Sequence, residues 1–209
     1  DTDDFVISAD SISATLWSGG TPSLSTFFTS STQAAGSSGL YYLNVYQEDA
    51  TSDGAEIQFA IAYGNSAGSG SANYNSNVDG KSPTSTIYGQ YQNLVLGDEN
   101  TDFVFGNITS SEFFAMPIER ARYKEKLFLQ STALSIKNGA NRITLTDDSA
   151  YVSSVRFNEA GRVFQLISGS QGVRTSSPKD GDGNGWTAAS GSYGWLLPDI
   201  GTILLNPLA

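Results

Sequence analysis

The side chains able to carry out chemistry in this chain are carboxylates, because its 209 residues include neither histidine nor cysteine. The lack of histidine removes the commonest general base and metal ligand, and with them any Ser-His-Asp triad. The lack of cysteine removes thiolate nucleophiles and disulfides. Carboxylate acid–base chemistry is the enzymatic route that remains.

Glycoside hydrolysis uses two carboxylates that face each other across a sugar-binding cleft. The acidic residues that could supply such a pair are Glu119, Glu125, Asp98, Glu99, Asp147 and Asp148. Asp98 and Glu99 are adjacent in sequence, and so are Asp147 and Asp148. Both pairs lie at predicted turns, where carboxylates commonly act as solvated caps. We therefore predict a chain without enzymatic activity, catalytic residues or cofactor, and keep a carboxylate-based glycan depolymerase as an alternative.

The segment 180–185 resembles the start of a calcium-binding loop. Asp180, Asp182 and Asn184 occupy the first, third and fifth positions, and Gly185 the sixth. These oxygen ligands suit Ca²⁺, but the twelfth position, which requires a bidentate glutamate, is Gly191. A simple Gly/Asp turn is the favoured interpretation, and these three residues remain the metal candidates.

Four basic residues, Arg120, Arg122, Lys124 and Lys126, recur at every second position. On a strand they would share one face and form a basic stripe, whereas on a helix they would spread around it. Both structures are compatible with residues 119–126. The residues could form a solvated face or an interface with an acidic protein partner.

The charge of the chain is unevenly distributed. Residues 1–118 contain 13 acidic residues and one basic residue, Lys81, for a net charge of −12. Residues 119–209 contain ten basic and eight acidic residues, for a net charge of +2. The acidic first part would repel phosphates, so we expect no nucleic-acid partner. The two parts could meet oppositely charged neighbours in an assembly.

Tyrosines are frequent in the first half of the chain and could stack on sugars. Those considered are Tyr41, Tyr42, Tyr46, Tyr63, Tyr74, Tyr88 and Tyr91. Tyrosines in strands are more often half-buried sheet residues. A receptor-binding or carbohydrate-binding fibre module is therefore a second alternative.

The elements that must position these residues are mainly strands. Residues 57–63 alternate apolar side chains with period two, and residues 40–46 and 102–105 have the composition of strands. Two hairpins are predicted, 134–146 around Asn138-Gly139 and 155–167 around 158–161. One helix is predicted near 83–96, with Ser82 as its N-cap and Pro83 in its first turn.

Long polar loops and an apolar tail complete the chain. Residues 64–82 and 168–194 are rich in Ser and Gly, and 195–209 are strongly apolar. We expect the loop 64–82, the basic segment 120–126 and the tail, beginning with Trp195, Leu196 and Leu197, to contact partners.

No apolar stretch is long enough for a transmembrane helix, so no membrane partner is expected. The apolar end suggests part of a longer product.

The predicted fold is mainly β, with antiparallel, sandwich-like sheets, one short helix and long loops. By charge the chain divides into an acidic region, 1–118, and a charge-balanced region, 119–209. These regions could also form one continuous domain.

Several segments together resemble virion structural proteins of contractile-tailed bacteriophages, notably those infecting marine cyanobacteria. The segments are GAEIQFAIAYGNSAGSG (54–70), TIYGQYQNLVL (86–96), ERARYKEKL (119–127) and GSYGWLLPDIGTILL (191–205). The resemblance implies a structural component of the tail or baseplate, located in the virion and assembled in the host cytoplasm. Its partners would be other phage structural proteins and copies of itself, and it implies no catalytic or metal residues.

Overall fold

The computed structural model describes residues 29–30, 42–47, 52–68, 83–138, 141–176, 186–188 and 191–209. These residues confirm a mainly antiparallel β fold with one helix. The strands are β1 (Thr29–Ser30), β2 (Tyr42–Tyr46), β3 (Ile57–Asn65), β4 (Phe103–Phe105), β5 (Ile108–Ser110), β6 (Glu112–Pro117), β7 (Leu134–Asn138), β8 (Asn141–Asp147), β9 (Arg156–Asn158), β10 (Gly161–Ser170), β11 (Val173–Arg174), β12 (Gly194–Leu197) and β13 (Thr202–Leu205).

Eleven of these strands form one curled sheet. Its order is β1-β2-β3-β6-β13-β12-β10-β8-β7, and β9 and β11 also pair with β10. Strands β4 and β5 form a separate hairpin. Because β6 pairs with both β3 and β13, the sheet continues across residue 118 and joins the acidic and charge-balanced regions.

The strongest local sequence signals correspond to observed elements. The alternating segment 57–63 lies in β3, where Phe59 and Ile61 are buried. Strands β7 and β8 pair as the first predicted hairpin, and β9 and β10 as the second. Each hairpin agrees with its prediction because the apolar periodicity and the turn composition indicate the same structure.

Helix α1 (Pro83–Tyr91) continues as a π-helical turn at Gln92–Leu96 and ends at Gly97, which has a positive φ of 70°. The prediction of a helix near 83–96 is therefore confirmed. The π turn changes the helical phase. Val95 in this turn is buried, whereas Leu94 beside it is exposed.

The C-terminal segment supplies the centre of the sheet, which corrects the prediction that it is a contact surface. Trp195 is almost fully buried, and Leu196 and Leu197 have no exposed surface. Strands β12 and β13 have neighbours on both edges, and both faces of the sheet are covered there. An apolar run is typical of such a strand because successive side chains point to opposite faces.

The face of the sheet that carries α1 and the β4–β5 hairpin, here called the helix face, has an aromatic core. Phe113 lies with ring centroids 5.0 Å from Phe103 and 5.4 Å from Tyr88, while Trp195 lies 5.0 Å from Phe105. Gly64 pairs with Phe113 across β3 and β6, and a Cβ at Gly64 would lie 2.7 Å from the Phe113 ring. Glycine at position 64 therefore lets this ring pack against the strand.

The opposite face has a second, mainly aliphatic core. Its buried residues include Phe59, Ile61, Met116, Leu145, Phe164, Leu166, Leu196, Ile203 and Leu205. The chain crosses this face after β6, where Tyr123 and Leu127 are buried. The Leu127 N–H donates to the Pro198 carbonyl at 2.9 Å and holds the crossing segment against the end of β12.

The predicted basic stripe does not lie on a strand. Strand β6 ends at Pro117, and Arg120–Arg122 forms a short 3-10 helix. Proline lacks an N–H and cannot donate to a sheet ladder, which favours the end of the strand at that point. The four basic side chains therefore follow a turn instead of sharing one face of a strand.

Candidate interaction surface

Three largely exposed segments beside β10 are here called the arginine surface: residues 128–133, 151–157 and 171–176. The segment 151–157 leads from β8 into β9, and both strands pair with β10. The segment 171–176 contains the tight turn from β10 into β11, where Gln171 and Gly172 have positive φ angles of 49° and 73°. Two positive φ angles in succession are typical of a two-residue hairpin turn.

Direct contacts join the three segments. The Gln171 N–H donates to the Thr132 carbonyl at 2.9 Å. The Arg174 N–H donates to the Tyr151 hydroxyl oxygen at 3.1 Å. A Cβ at Gly172 would lie 2.4 Å from the Cβ of Gln130, so the turn lies directly against the first segment.

The arginine surface is rich in exposed apolar side chains. Among the described residues it contains six of the nine exposed large hydrophobic side chains, and Phe157 and Val173 are 72% and 66% exposed. The other four are Phe128, Tyr151, Val152 and Val155. Single exposed apolar residues are ordinary, whereas a concentration of them in neighbouring segments favours a contact surface.

Arg174 lies where two aromatic side chains converge. Its guanidinium carbon is 3.6 Å from the ring centroid of Trp186 and 4.5 Å from that of Tyr151. Trp186 is itself held, because its Nε1–H donates to the Thr175 carbonyl at 2.7 Å and its carbonyl accepts from the Ser168 N–H at 2.8 Å. The two ring contacts restrict the guanidinium plane and are individually favourable cation–π contacts.

Two candidate catalytic carboxylates, Asp147 and Asp148, support this surface from within. Asp147 is fully buried and accepts from the N–H groups of Gln130 at 2.9 Å and Ser149 at 3.3 Å. Asp148 accepts from the Gln165 N–H at 2.9 Å. Burial raises the pKa of the Asp148 carboxyl, and the hydrogen bond from Gln165 partly opposes this effect. The expectation that this pair forms a solvated cap is therefore wrong, because both carboxylates anchor backbone segments.

The predicted basic residues have contacts within the chain. Arg122 forms an ion pair with Glu56 at 2.5 Å. Arg120 lies 4.7 Å from the Tyr123 ring centroid and donates to the Tyr123 carbonyl at 2.6 Å. Lys124 and Lys126 follow on the exposed side of the same turn. Lys124 also has a partner within the chain, and the charge of Lys126 helps to lower the pKa of Asp199. These internal interactions reduce the charge available to an external partner.

A polar cleft lies beside α1, with a volume of about 820 Å³. Its lining is mainly hydroxyl, amide and acidic side chains, including Ser85, Gln90, Asn93, Glu99 and Asp102. Two of the acids considered for catalysis are nearby: Glu99 lines the cleft, and Asp98 accepts from the N–H of Asn100 at 2.9 Å. Hydrogen bonds from the Asn100 N–H and the Thr101 hydroxyl lower the pKa of the Asp98 carboxyl below its ordinary value.

Tyr88 also lines this cleft, but its ring is packed in the core of the helix face. Its hydroxyl donates to the Ser110 carbonyl at 2.8 Å. Glu119 and Glu125, the remaining acids considered, are exposed near the basic turn and do not line the cleft.

Part of the predicted set lies outside the described residues. Asp180, Asp182 and Asn184 of the calcium candidate belong to this part, as do residues 69–82 of the long loop. Within the described ranges, no group of three or more acidic side chains could hold a metal ion.

Sequence reasoning did not identify Tyr151, Arg174 and Trp186 as a cluster. They come from three separate segments with no common spacing, and only the folding of β10 and its neighbours brings them together. The local signal in the sequence is the apolar composition of 151–157, of which residues 155–157 are predicted as the first strand of the second hairpin.

The fold and this surface define a mainly antiparallel β protein that presents an apolar, arginine-bearing face. Comparison of the chain with protein-family models, curated proteins and solved structures finds no match in any of the three. None of the helical segments among the described residues is long and apolar enough to cross a membrane.

Proposed function

We propose that this chain is a non-enzymatic structural subunit of a phage particle, in the tail or baseplate, and that it acts by packing against other virion proteins and copies of itself. The observation that carries the packing role is the concentration of exposed apolar side chains on the arginine surface. Burial of apolar area is the main driving force of protein association, at about 25 cal/mol per Å².

The assignment to a phage particle rests on the sequence resemblance of segments 54–70, 86–96, 119–127 and 191–205. The arginine surface supports the same assignment, because a subunit that is held by its neighbours needs exposed apolar groups on a stable framework. Here the framework is the two-faced core of the sheet. Asp147 ties the segment 128–133 to it through the Gln130 N–H, and the Asp148 carbonyl accepts from the Tyr151 N–H at 2.8 Å.

Three segments were expected to contact partners: the loop 64–82, the basic segment 120–126 and the tail 195–209. The arginine surface takes the place of the tail among the proposed contacts. The tail is buried in the protomer, whereas Arg120, Lys124 and Lys126 of the basic turn are exposed. The long loop is described only at residues 64–68. The proposed contacts are therefore made by the arginine surface, with the basic turn as a secondary region.

The proposal is tested on intact particles of the phage that encodes the chain. We expect mass spectrometry of gradient-purified particles to detect the chain, and antibodies against the 209-residue protein to label the tail or baseplate in electron micrographs. The control is labelling by the same antibodies after absorption with purified protein. Purified particles that lack the chain would contradict the proposal.

A second candidate function is a carbohydrate-binding fibre module, and the polar cleft beside α1 favours it. Hydroxyl and amide side chains are the groups that orient sugars in binding sites. The buried ring of Tyr88 cannot serve as a stacking platform there, which makes this candidate weaker than packing. A glycan array is the test, and binding that is lost in Asn93→Ala would favour the module.

A further inference from the structure

The Arg174 side chain lies on an exposed surface, and among the described residues its guanidinium makes ring contacts only. Its guanidinium contacts two rings, and within the described residues no carboxylate or carbonyl oxygen accepts a hydrogen bond from it. A guanidinium has five N–H donors in a planar fork that matches a carboxylate bidentately. Ring contacts that restrict the plane of the fork lower the entropy lost when a carboxylate binds.

The surroundings of Arg174 favour an acidic partner. The segments 128–133, 151–157 and 171–176 contain two arginines, Arg156 and Arg174, and no acidic residue. Arg174 follows the exposed Val173 and contacts the Tyr151 ring, and Arg156 stands between the exposed Val155 and Phe157. A partner that fits this surface must bring carboxylates together with groups that tolerate apolar contact.

The chain itself carries a complementary region on another part of its surface. Residues 98–102, between the helical segment and β4, contain Asp98, Glu99 and Asp102, and every residue of this acidic turn is exposed. Its shape is held by Asp98, which accepts from the Thr101 hydroxyl at 2.7 Å. Leu94, half exposed one turn earlier, supplies an apolar neighbour.

We propose that Arg174 anchors a head-to-tail contact in which the arginine surface of one copy binds the acidic turn 98–102 of a second copy. This inference rests on the proposed packing function and names its partner and its anchor residue. A contact between two different surfaces of the same chain is heterologous, so it can build rings or open arrays as a particle component requires.

The test is the concentration dependence of self-association of the full 209-residue chain, measured by sedimentation velocity at low and high salt. We expect concentration-dependent association that weakens with salt, because the contact is partly electrostatic. Arg174→Glu should raise the dissociation constant about tenfold or more. Arg174→Lys should have a smaller effect, because it keeps the charge and loses the planar fork.

The matched control is Arg142→Glu, which makes the same change in net charge at an exposed arginine of β8 outside the surface. We expect this variant to associate like the unmodified chain. Glu99→Lys should weaken association, and the double variant Arg174→Glu/Glu99→Lys should recover much of it by exchanging the two charges.

Several outcomes would overturn the inference. A chain that remains monomeric at all concentrations, equal effects of Arg174→Glu and Arg142→Glu, or a double variant weaker than both single ones would each do so. The double variant Asp180→Asn/Asp182→Asn could also weaken self-association as much as Arg174→Glu does. That result would indicate that Arg174 pairs with these carboxylates of its own chain and not with a second copy. These outcomes leave the proposed function standing, because incorporation into particles is measured separately.

Discussion

At the scale of single residues, Asp148 shows how a carboxylate can serve the fold at an electrostatic cost. Burial raises the pKa of this carboxyl above its ordinary value. As the pH falls from neutral through that raised pKa, the folded protein takes up a proton before the unfolded chain does. The contribution of Asp148 to the free energy of unfolding therefore increases towards acidic pH.

Replacing Asp148 with asparagine removes the charge and keeps an oxygen that can accept from the Gln165 N–H. We expect Asp148→Asn to be more stable than the unmodified chain at pH 7, with a smaller difference at pH 5, in urea denaturation at both values. A variant less stable at pH 7 would show that the hydrogen bond to the ionised carboxylate outweighs the cost of its burial.

Asp199 provides a control, because its pKa is shifted in the direction opposite to that of Asp148. Hydrogen bonding with Arg162 lowers the pKa of the Asp199 carboxyl, and the Asp199 Oδ2 also accepts from the Arg162 N–H at 2.8 Å. Its contribution is present above the ordinary carboxyl pKa and is lost as the pH falls through the lowered value. Asp199→Asn should therefore be less stable than the unmodified chain at pH 7, and the deficit should shrink in acid.

At the scale of elements, β12 distinguishes a core strand from a contact surface. Leu196 is fully buried between β10 and β13 and packs in the core of the opposite face. Leu196→Ala should lower the free energy of unfolding by about 3 kcal/mol, the usual cost of a large cavity. Val173→Ala on the arginine surface should change it by less than about 0.5 kcal/mol. Urea denaturation measures both, and equal effects would contradict this division.

The elements that could be predicted from the sequence are those whose local signals agree. The alternation in 57–63, the two hairpins and the proline at the start of α1 each indicate the observed element. The location of β12 could not be predicted, because the apolar run at Trp195 fits an exposed contact strand as well as a buried one. Which of these forms depends on pairing with β10 and β13, and that pairing is tertiary.

The candidate site was less predictable for the same reason. The basic residues 120–126 stand out by their spacing, yet Pro117 ends the strand, and Arg120, Arg122 and Lys124 have partners in the chain. Arg174 had no distinguishing sequence neighbours, and its role depends on rings supplied by Tyr151 and Trp186. A cluster that exists only through strand pairing leaves no local pattern in the sequence.

At the scale of the whole molecule, the division of charge at residue 118 does not correspond to a division of the sheet. Strand β6 precedes this boundary and β13 follows it, yet they pair through four residues from Thr202↔Pro117 to Leu205↔Phe114. Both cores take residues from the two regions, since Phe113 packs near Trp195 and Met116 lies in the core with Ile203. The acidic and charge-balanced regions therefore share their hydrophobic cores.

Shared cores predict one cooperative unfolding transition. Urea midpoints followed by tryptophan fluorescence and by far-ultraviolet circular dichroism should coincide, as they do for a two-state domain. Expressed separately, residues 1–118 and 119–209 should each fail to show a cooperative transition, because each fragment exposes the face and strand edge that the other covers. Mixing the two fragments should restore structure. Two separate midpoints in the intact chain, or a folded fragment, would show that the charge boundary is also a folding boundary.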